Sequence, residues 1–317
     1  QEFVPNTEAW MSALANQQKG YDEINALGML VPKHLEQDRP DVENYINKTY
    51  NGKKNTNILF LGTGAADWLN IEHSDINREP NDKYRHLSSI LINNQILIDC
   101  GPTTLNSLSK YNIDNNSITD ILITHTHEDH LSPDVLAELA RLKCKDNPIK
   151  LWAHVGAFKR IPKINGLYFC PLKIGRSFHI GDITVKPLAA NHVVKETNEK
   201  PLHYLFSNEG RQWLYASDGA WLLKSTWTEL SKSKLDIIIF DATVGPIDDD
   251  PRIFEHNNLT MIRLMLGVFR KCRVIDSKST ILLTHMSRVL YDNCEEIEKN
   301  LENIGIISAY DGLNIKF

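Results

Sequence analysis

The segment Thr124-His125-Thr126-His127-Glu128-Asp129-His130 constrains this chain more than any other stretch. Three histidines and two carboxylates crowd together directly after Asp120-Ile121-Leu122-Ile123, a largely apolar run that reads as a short buried strand. Side chains alternate along extended backbone, so His125 and His127 face one point. Asp129 and His130 lie where the chain turns toward a helix, and they can face a second point nearby. Imidazole nitrogens and a carboxylate are ligands for zinc, iron or manganese, and two metal points only ~3.5–4 Å apart make a dinuclear centre.

Further strands end at residues of the same kinds. Asn57 to Leu61 is an apolar run that enters Gly62-Thr63-Gly64, a tight turn that could bring backbone N–H groups toward an anion. Ser88 to Ile92 and Gln95 to Ile98 read as a hairpin around Asn93-Asn94, and Asp99 follows it. Strands over 183–188, 213–217, 237–240 and 279–284 run toward His192, Asp218, Asp241 and His285 respectively. Helices are expected from Pro133 to Leu142, with Pro133 near its start and Asp134 in its first turn, and from Leu259 to about Lys271.

With 317 residues the chain can hold one large α/β domain and an appendage. We place the domain at 56–317 and an N-terminal helical extension at 1–55, where Trp10, Leu14, Tyr21 and Ile24 have loosely helical spacing. That extension suits packing on the domain, or a homodimer arm. No internal repeats are visible. No apolar run approaches the roughly 20 residues of a membrane span, which argues against a membrane partner. The net charge of -5 gives no global pull toward nucleic acid, although Arg141 to Arg176 is locally basic, as either a solvated face or a phosphate-collecting rim. Five scattered cysteines without a C-x-x-C pair favour reduced, cytoplasmic surroundings. The start at Gln1 leaves an exported mature form open.

The His125-x-His127-x-Asp129-His130 motif in this setting resembles the metallo-β-lactamase superfamily. Gly62-Thr63-Gly64, Asp99, His192, Asp218, His256 and His285 extend the resemblance over nearly all of 57–317. Glu255-His256-Asn257-Asn258-Leu259 and Leu283-Thr284-His285-Met286-Ser287 make it most similar to the branch of RNase Z and the PhnP-like cyclic phosphodiesterases. Two family features are missing: the cysteines of a structural zinc site in the Trp68–His86 loop, and the long Gly/Pro-rich arm with which RNase Z grips tRNA.

The resemblance implies a four-layer αββα sandwich, two mixed sheets flanked by helices. It implies two divalent metal ions per chain, with zinc or manganese favoured over iron. His125, His127 and His192 would hold one ion, Asp129, His130 and His285 the other, and Asp218 would bridge. Asp99 and Asp241 would stand behind the ligands and orient them. The activity implied is a metal-dependent hydrolase, most similar to a phosphodiesterase acting on a small cyclic phosphate or phosphodiester through a hydroxide shared by the ions. His256 and Asp129 would be its catalytic groups. RNA processing, and lactone or thioester hydrolysis on the same scaffold, are the alternatives.

Overall fold

The computed structural model describes residues 56–68, 85–143, 147–195, 198–288, 290, 301 and 305–317. The expected helical extension over 1–55 and most of the Trp68–His86 loop lie outside them. The described chain forms two seven-stranded sheets.

The first sheet is built from β1 (Asn57–Gly62), β2 (Ser89–Ile92), β3 (Ile96–Ile98), β4 (Asp120–Leu122), β5 (Ile149–His154) and β6 (Leu167–Leu172), with β14 (Asn314–Lys316) on the outer side of β1. The second is built from β7 (Phe178–Ile180), β8 (Ile183–Ala189), β9 (Leu202–Asn208), β10 (Arg211–Ala216), β11 (Ile237–Asp241), β12 (Thr280–Thr284) and β13 (Ile306–Ser308). Both sheets follow one plan. Three antiparallel pairings, from β14 to β3 in the first and from β7 to β10 in the second, are followed by three parallel ones. Thus a repeat that the sequence does not show is present in the topology.

Strand alternation sets the layers. Ile58 and Phe60 of β1 point into a core shared by the two sheets, where they join Ile90, Ile98, Tyr204, Phe206, Trp213 and Ile239. Leu59 and Leu61 point the other way, against Leu108 of helix α1 (Thr104–Lys110) and Val135, Leu136 and Leu139 of α2 (Pro133–Arg141). The outer face of the second sheet packs Leu214, Ile238 and Leu283 on Leu259, Ile262, Leu266 and Phe269 of α4 (Leu259–Lys271), with Trp227 of α3 (Lys224–Leu230) partly buried beside them. Both faces of each sheet are therefore covered, which is why the strands read as unbroken apolar runs. The layer order is αββα, as the resemblance implies.

Local chemistry fixes the ends. Asn93 and Asn94 have φ of 52° and 56°, the left-handed pair inside the turn that the Gln95 N–H closes on Ile92 O, with Ile92 then paired to Ile96. Ser132 caps α2 and Asn258 caps α4, each accepting a backbone N–H three residues on. The Gly62-Thr63-Gly64 turn serves a different end from the one its sequence suggests. The Gly64 N–H donates to His86 O and the Ala65 N–H to Met286 O, while Thr63 Oγ1 donates to Asp311. Those amides stitch the two sheets together and do not present an anion site.

Candidate metal centre

The parallel strands of both sheets end on the same side, and the side chains singled out from the sequence meet there. His125, His127, His192 and Asp218 offer ligand atoms that all lie within 4.8 Å of one another, and so do Asp129, His130, Asp218 and His285. Asp218 belongs to both groups.

The spacings decide what such groups can hold. Tetrahedral bonds of ~2.1 Å put ligand atoms about 3.4 Å apart. In the first group His127 Nδ1 lies 2.9 Å from His125 Nε2 and 3.2 Å from His192 Nε2, and Asp218 Oδ2 is 3.4 Å from His125 Nε2 and 3.8 Å from His192 Nε2. In the second, His130 Nε2 is 3.3 Å from His285 Nε2 and 3.2 Å from Asp129 Oδ2, and Asp218 Oδ1 approaches His285 Nε2 at 2.9 Å. These residues fit two divalent cations, with Asp218 able to touch both. A third group, Asp241, His256 and His285, is close enough for an ion, but Asp241 is already committed. It accepts from the N–H and Oγ1 of Thr243 and from the N–H groups of Gly219 and Asn257, and it pairs with His256 Nδ1 at 3.1 Å.

The partners behind the ring set the tautomers. His130 Nδ1–H donates to Asp99 Oδ2 at 2.8 Å, His125 Nδ1–H to Thr124 Oγ1 at 3.1 Å, and His192 Nδ1–H to the Glu255 carbonyl at 3.2 Å. His285 Nδ1–H donates to Thr243 Oγ1 at 2.7 Å, and that hydroxyl donates to Asp241 Oδ1 at 2.5 Å. Each of these bonds leaves the Nε2 lone pair aimed at the centre. Asp99 also accepts from the N–H and hydroxyl of Thr124, so one carboxylate holds both the motif's first residue and its last.

Three of the residues that end strands here do so in left-handed backbone: Asp99 (φ 60°), Asp218 (φ 39°) and His285 (φ 56°). Such conformations cost non-glycine residues of order ~1–3 kcal/mol and persist where their surroundings fix them. A close approach adds to the fixing. A Cβ on Gly101 would come within 1.9 Å of the Asp129 carbonyl oxygen, so the loop after Asp99 can lie against the motif only as glycine.

Sequence reasoning missed several supporting side chains. Thr126, between the first two histidines, donates to the buried carboxylate of Glu199 at 2.5 Å, and nothing in the sequence points to Glu199. His203 of β9 packs where a Cβ on Gly219 would stand, 2.8 Å from its Cε1, and so shapes the loop after Asp218. Thr243 was visible only as the residue two places after a strand-ending aspartate. We expect Glu199→Ala to weaken metal affinity by less than the roughly 10–100-fold that loss of a ligand's own partner costs, because Glu199 acts through Thr126 between His125 and His127, and Glu199→Gln to recover most of it. Competition with a chelator measures this; unchanged affinity in Glu199→Ala would remove the residue from the centre's support.

Charge is unevenly shared. Burial would lower His130 and His285, but the Asp218 carboxylate, with Asp129 beside both rings, holds them well above the usual imidazole range. Burial alone would raise Asp218 and Asp129, yet facing imidazoles (His285 and His130 for Asp218, His130 for Asp129) keep them well below the carboxylate range. His125 and His127 are pushed down by burial and by neighbouring imidazoles. A cation entering the centre therefore competes with the protons that these carboxylates favour on His130 and His285.

The sign of the pH dependence follows. The raised histidines stabilise the metal-free fold fully below ~6.5, and that contribution is lost as pH rises through their elevated values. The depressed aspartates stabilise it above ~3.8, and lose their contribution as pH falls through their lowered values. His125, His127, His192 and His203, all lowered by burial, oppose the histidine contribution as pH falls below ~6.5, so the two sets of histidines pull the metal-free fold in opposite directions there. Cation affinity should rise with pH, and loading should release protons. Calorimetry in buffers of different ionisation enthalpy tests the release; its absence would show His130 and His285 to be neutral before loading.

A centre of this make-up, set between two sheets, defines a metal-dependent hydrolase. The chain belongs to the beta-lactamase superfamily, whose domain model matches residues 94–286. Over 150 residues it is 26% identical to a ribonuclease Z of Oceanobacillus iheyensis, covering 45% of this chain and 42% of that protein. The match therefore spans less than half of that relative. Among solved structures, a diphosphatase from the PhnP family aligns at a TM-score of 0.62 with 21% identity, over 83% of this chain and 97% of that one. The short form of human tRNase Z aligns at 0.55 with 19% identity, over 82% and 98%. These two likenesses show the fold.

Proposed function

We propose that this hydrolase cleaves small phosphodiesters, cyclic or open, at a centre of two divalent ions, zinc or manganese. His125, His127 and His192 would hold one ion and Asp129, His130 and His285 the other, with Asp218 shared. When bound, such ions polarise a phosphoryl oxygen and acidify water.

The observation that carries the reading is His256. Its Nδ1–H is engaged by Asp241 at 3.1 Å, and its ring lies 5.0 Å from that of His192 and 5.5 Å from that of His285. Burial would lower it, but the Asp241 carboxylate raises it above the ordinary imidazole value, which favours a second proton on the ring. A proton on Nε2 beside the ligand set is what a departing alkoxide oxygen needs. Asp129, the other group the resemblance makes catalytic, would serve as a ligand beside His130 and His285, whose Nε2 atoms lie 3.2 Å and 3.4 Å from its Oδ2.

The relatives named ribonuclease Z and tRNase Z support RNA as the second reading, as do exposed Lys159, Arg160, Lys163, Lys173 and Arg176. The net charge of -5 favours the small substrate. Metal content measured together with turnover of bis(p-nitrophenyl) phosphate and of a cyclic phosphodiester tests the proposal. About two ions per chain with turnover of a diester is the expected result. A metal-loaded protein that cleaves neither diester, but opens a lactone or thioester, would replace it.

A further inference from the structure

We propose that His154 is a positioning residue for the metal centre: its ring pins the segment that carries Glu199, and Glu199 holds the peptide between His125 and His127. The inference rests on the two-ion reading and does not depend on which ester is cleaved.

His154 is the last residue of β5 and is half-buried. Its Nδ1 accepts from the Gly156 N–H and from the Lys200 N–H, each at 3.1 Å. A ring nitrogen that accepts carries no proton, so the imidazole is neutral with its hydrogen on Nε2. Burial and the Lys200 ammonium both push the ring below the ordinary imidazole value, which favours that form. The first bond closes the turn after β5. The second reaches across 46 positions, from the first sheet to the segment that leads into β9 of the second.

Backbone meets backbone at this junction. A Cβ on Gly156 would stand 2.5 Å from the carbonyl carbon and oxygen of Asn198 and 2.6 Å from the Glu199 nitrogen. The Glu199 carboxylate is raised by burial, and it accepts from the hydroxyl of Thr126 at 2.5 Å and from the Thr126 N–H. A carboxylate is costly to bury, and it stays only where the backbone brings it to its donors. The Leu202 N–H, bonded to Thr124 O at 2.9 Å, fixes the chain beyond Glu199, and His154 fixes the residue next to it. Without the ring the Lys200 N–H loses its acceptor, and Glu199 loses the nearer of these two anchors.

The clamp serves one pocket. Thr126 lies between two ligands of the same ion, so a shift of its peptide moves His125 and His127 together. The other pocket has supports of its own, Asp99 behind His130 and Thr243 behind His285. Loss of His154 should therefore loosen one ion and spare the other.

Chelator competition on the metal-loaded protein tests this as a double-mutant cycle. His154→Ala should weaken one of the two ions by about 3- to 10-fold, below the roughly 10–100-fold that loss of a ligand's own partner costs. His154→Asn, whose Oδ1 can accept the same two N–H groups, should recover most of the loss. In a Glu199→Ala background His154→Ala should add little, since the ring then has nothing to act through. Additive losses, equal loosening of both ions, or unchanged affinity in His154→Ala would each overturn the proposal. Nitrogen NMR of the wild type reads the tautomer without any variant, and a proton on His154 Nδ1 would overturn it as well. If the wild type holds no ion, the two-ion reading fails by itself and amide exchange decides the clamp. Faster exchange at Gly156, Lys200 and Thr126 together in His154→Ala supports it, and an unaltered Thr126 amide overturns it.

Discussion

Asp218→Ala is expected to lose both metal and turnover. Asp218 is the one side chain common to the two ligand groups, with Oδ1 facing His285 and Oδ2 within 3.3 Å of His130 and 3.4 Å of His125. Its removal takes an oxygen from each pocket and the negative charge that draws cations in. Loss of an outer partner costs roughly 10–100-fold in metal affinity or activity, and loss of a ligand shared by two ions should exceed that. Elemental analysis after dialysis and diester turnover together measure the effect. Asp218→Asn, which keeps the shape and loses the charge, separates collapse of the loop from loss of the anion. An Asp218→Ala protein that still carried two ions would sink the shared-ligand assignment.

His256→Ala should behave in the opposite way, keeping its metals and losing about 10²–10⁴-fold in kcat. The ring stands outside the two ligand groups that we assign to ions, while its Nδ1 is tied to Asp241 and Thr243. Without it the leaving oxygen departs unprotonated. A p-nitrophenyl leaving group needs little protonation, so its ester should suffer less than an alkyl or cyclic one. That ratio distinguishes a proton donor from a group that only shapes the pocket. Full activity of the variant on the cyclic ester would remove His256 from the chemistry.

Much of this was legible in the sequence because the relevant signals are local. Apolar runs of four to six residues marked β1, β2, β3, β4, β8, β10, β11 and β12, while β5, β6, β7, β9, β13 and β14 went unread; Asn93-Asn94 marked the hairpin turn and Pro133 one helix start. The dense motif at 125–130 located the centre. Residues whose role depends on a long-range partner were not legible. Glu199 meets Thr126 across 73 positions and Thr243 meets His285 across 42, and neither partner leaves a trace near the motif. The left-handed backbone at Asp99, Asp218 and His285 is likewise invisible, since an aspartate or histidine after a strand looks the same in any conformation. Gly62-Thr63-Gly64 misled for a related reason: glycine marks a tight approach, and here the group that approaches is the Leu87 carbonyl.

The repeated sheet plan bears on how the protein holds its cargo. The first half of the chain supplies His125 and His127 to one pocket and Asp129 and His130 to the other, while the second half supplies His192 with Asp218, and Asp218 with His285. Each pocket is thus made of two residues from each half, and neither half owns a complete coordination sphere. A cation bound there would be held by both halves at once and would stabilise their association by mass action. Ion affinity and cohesion of the sandwich would then be thermodynamically linked, so that a change that separates the halves would also weaken ion binding.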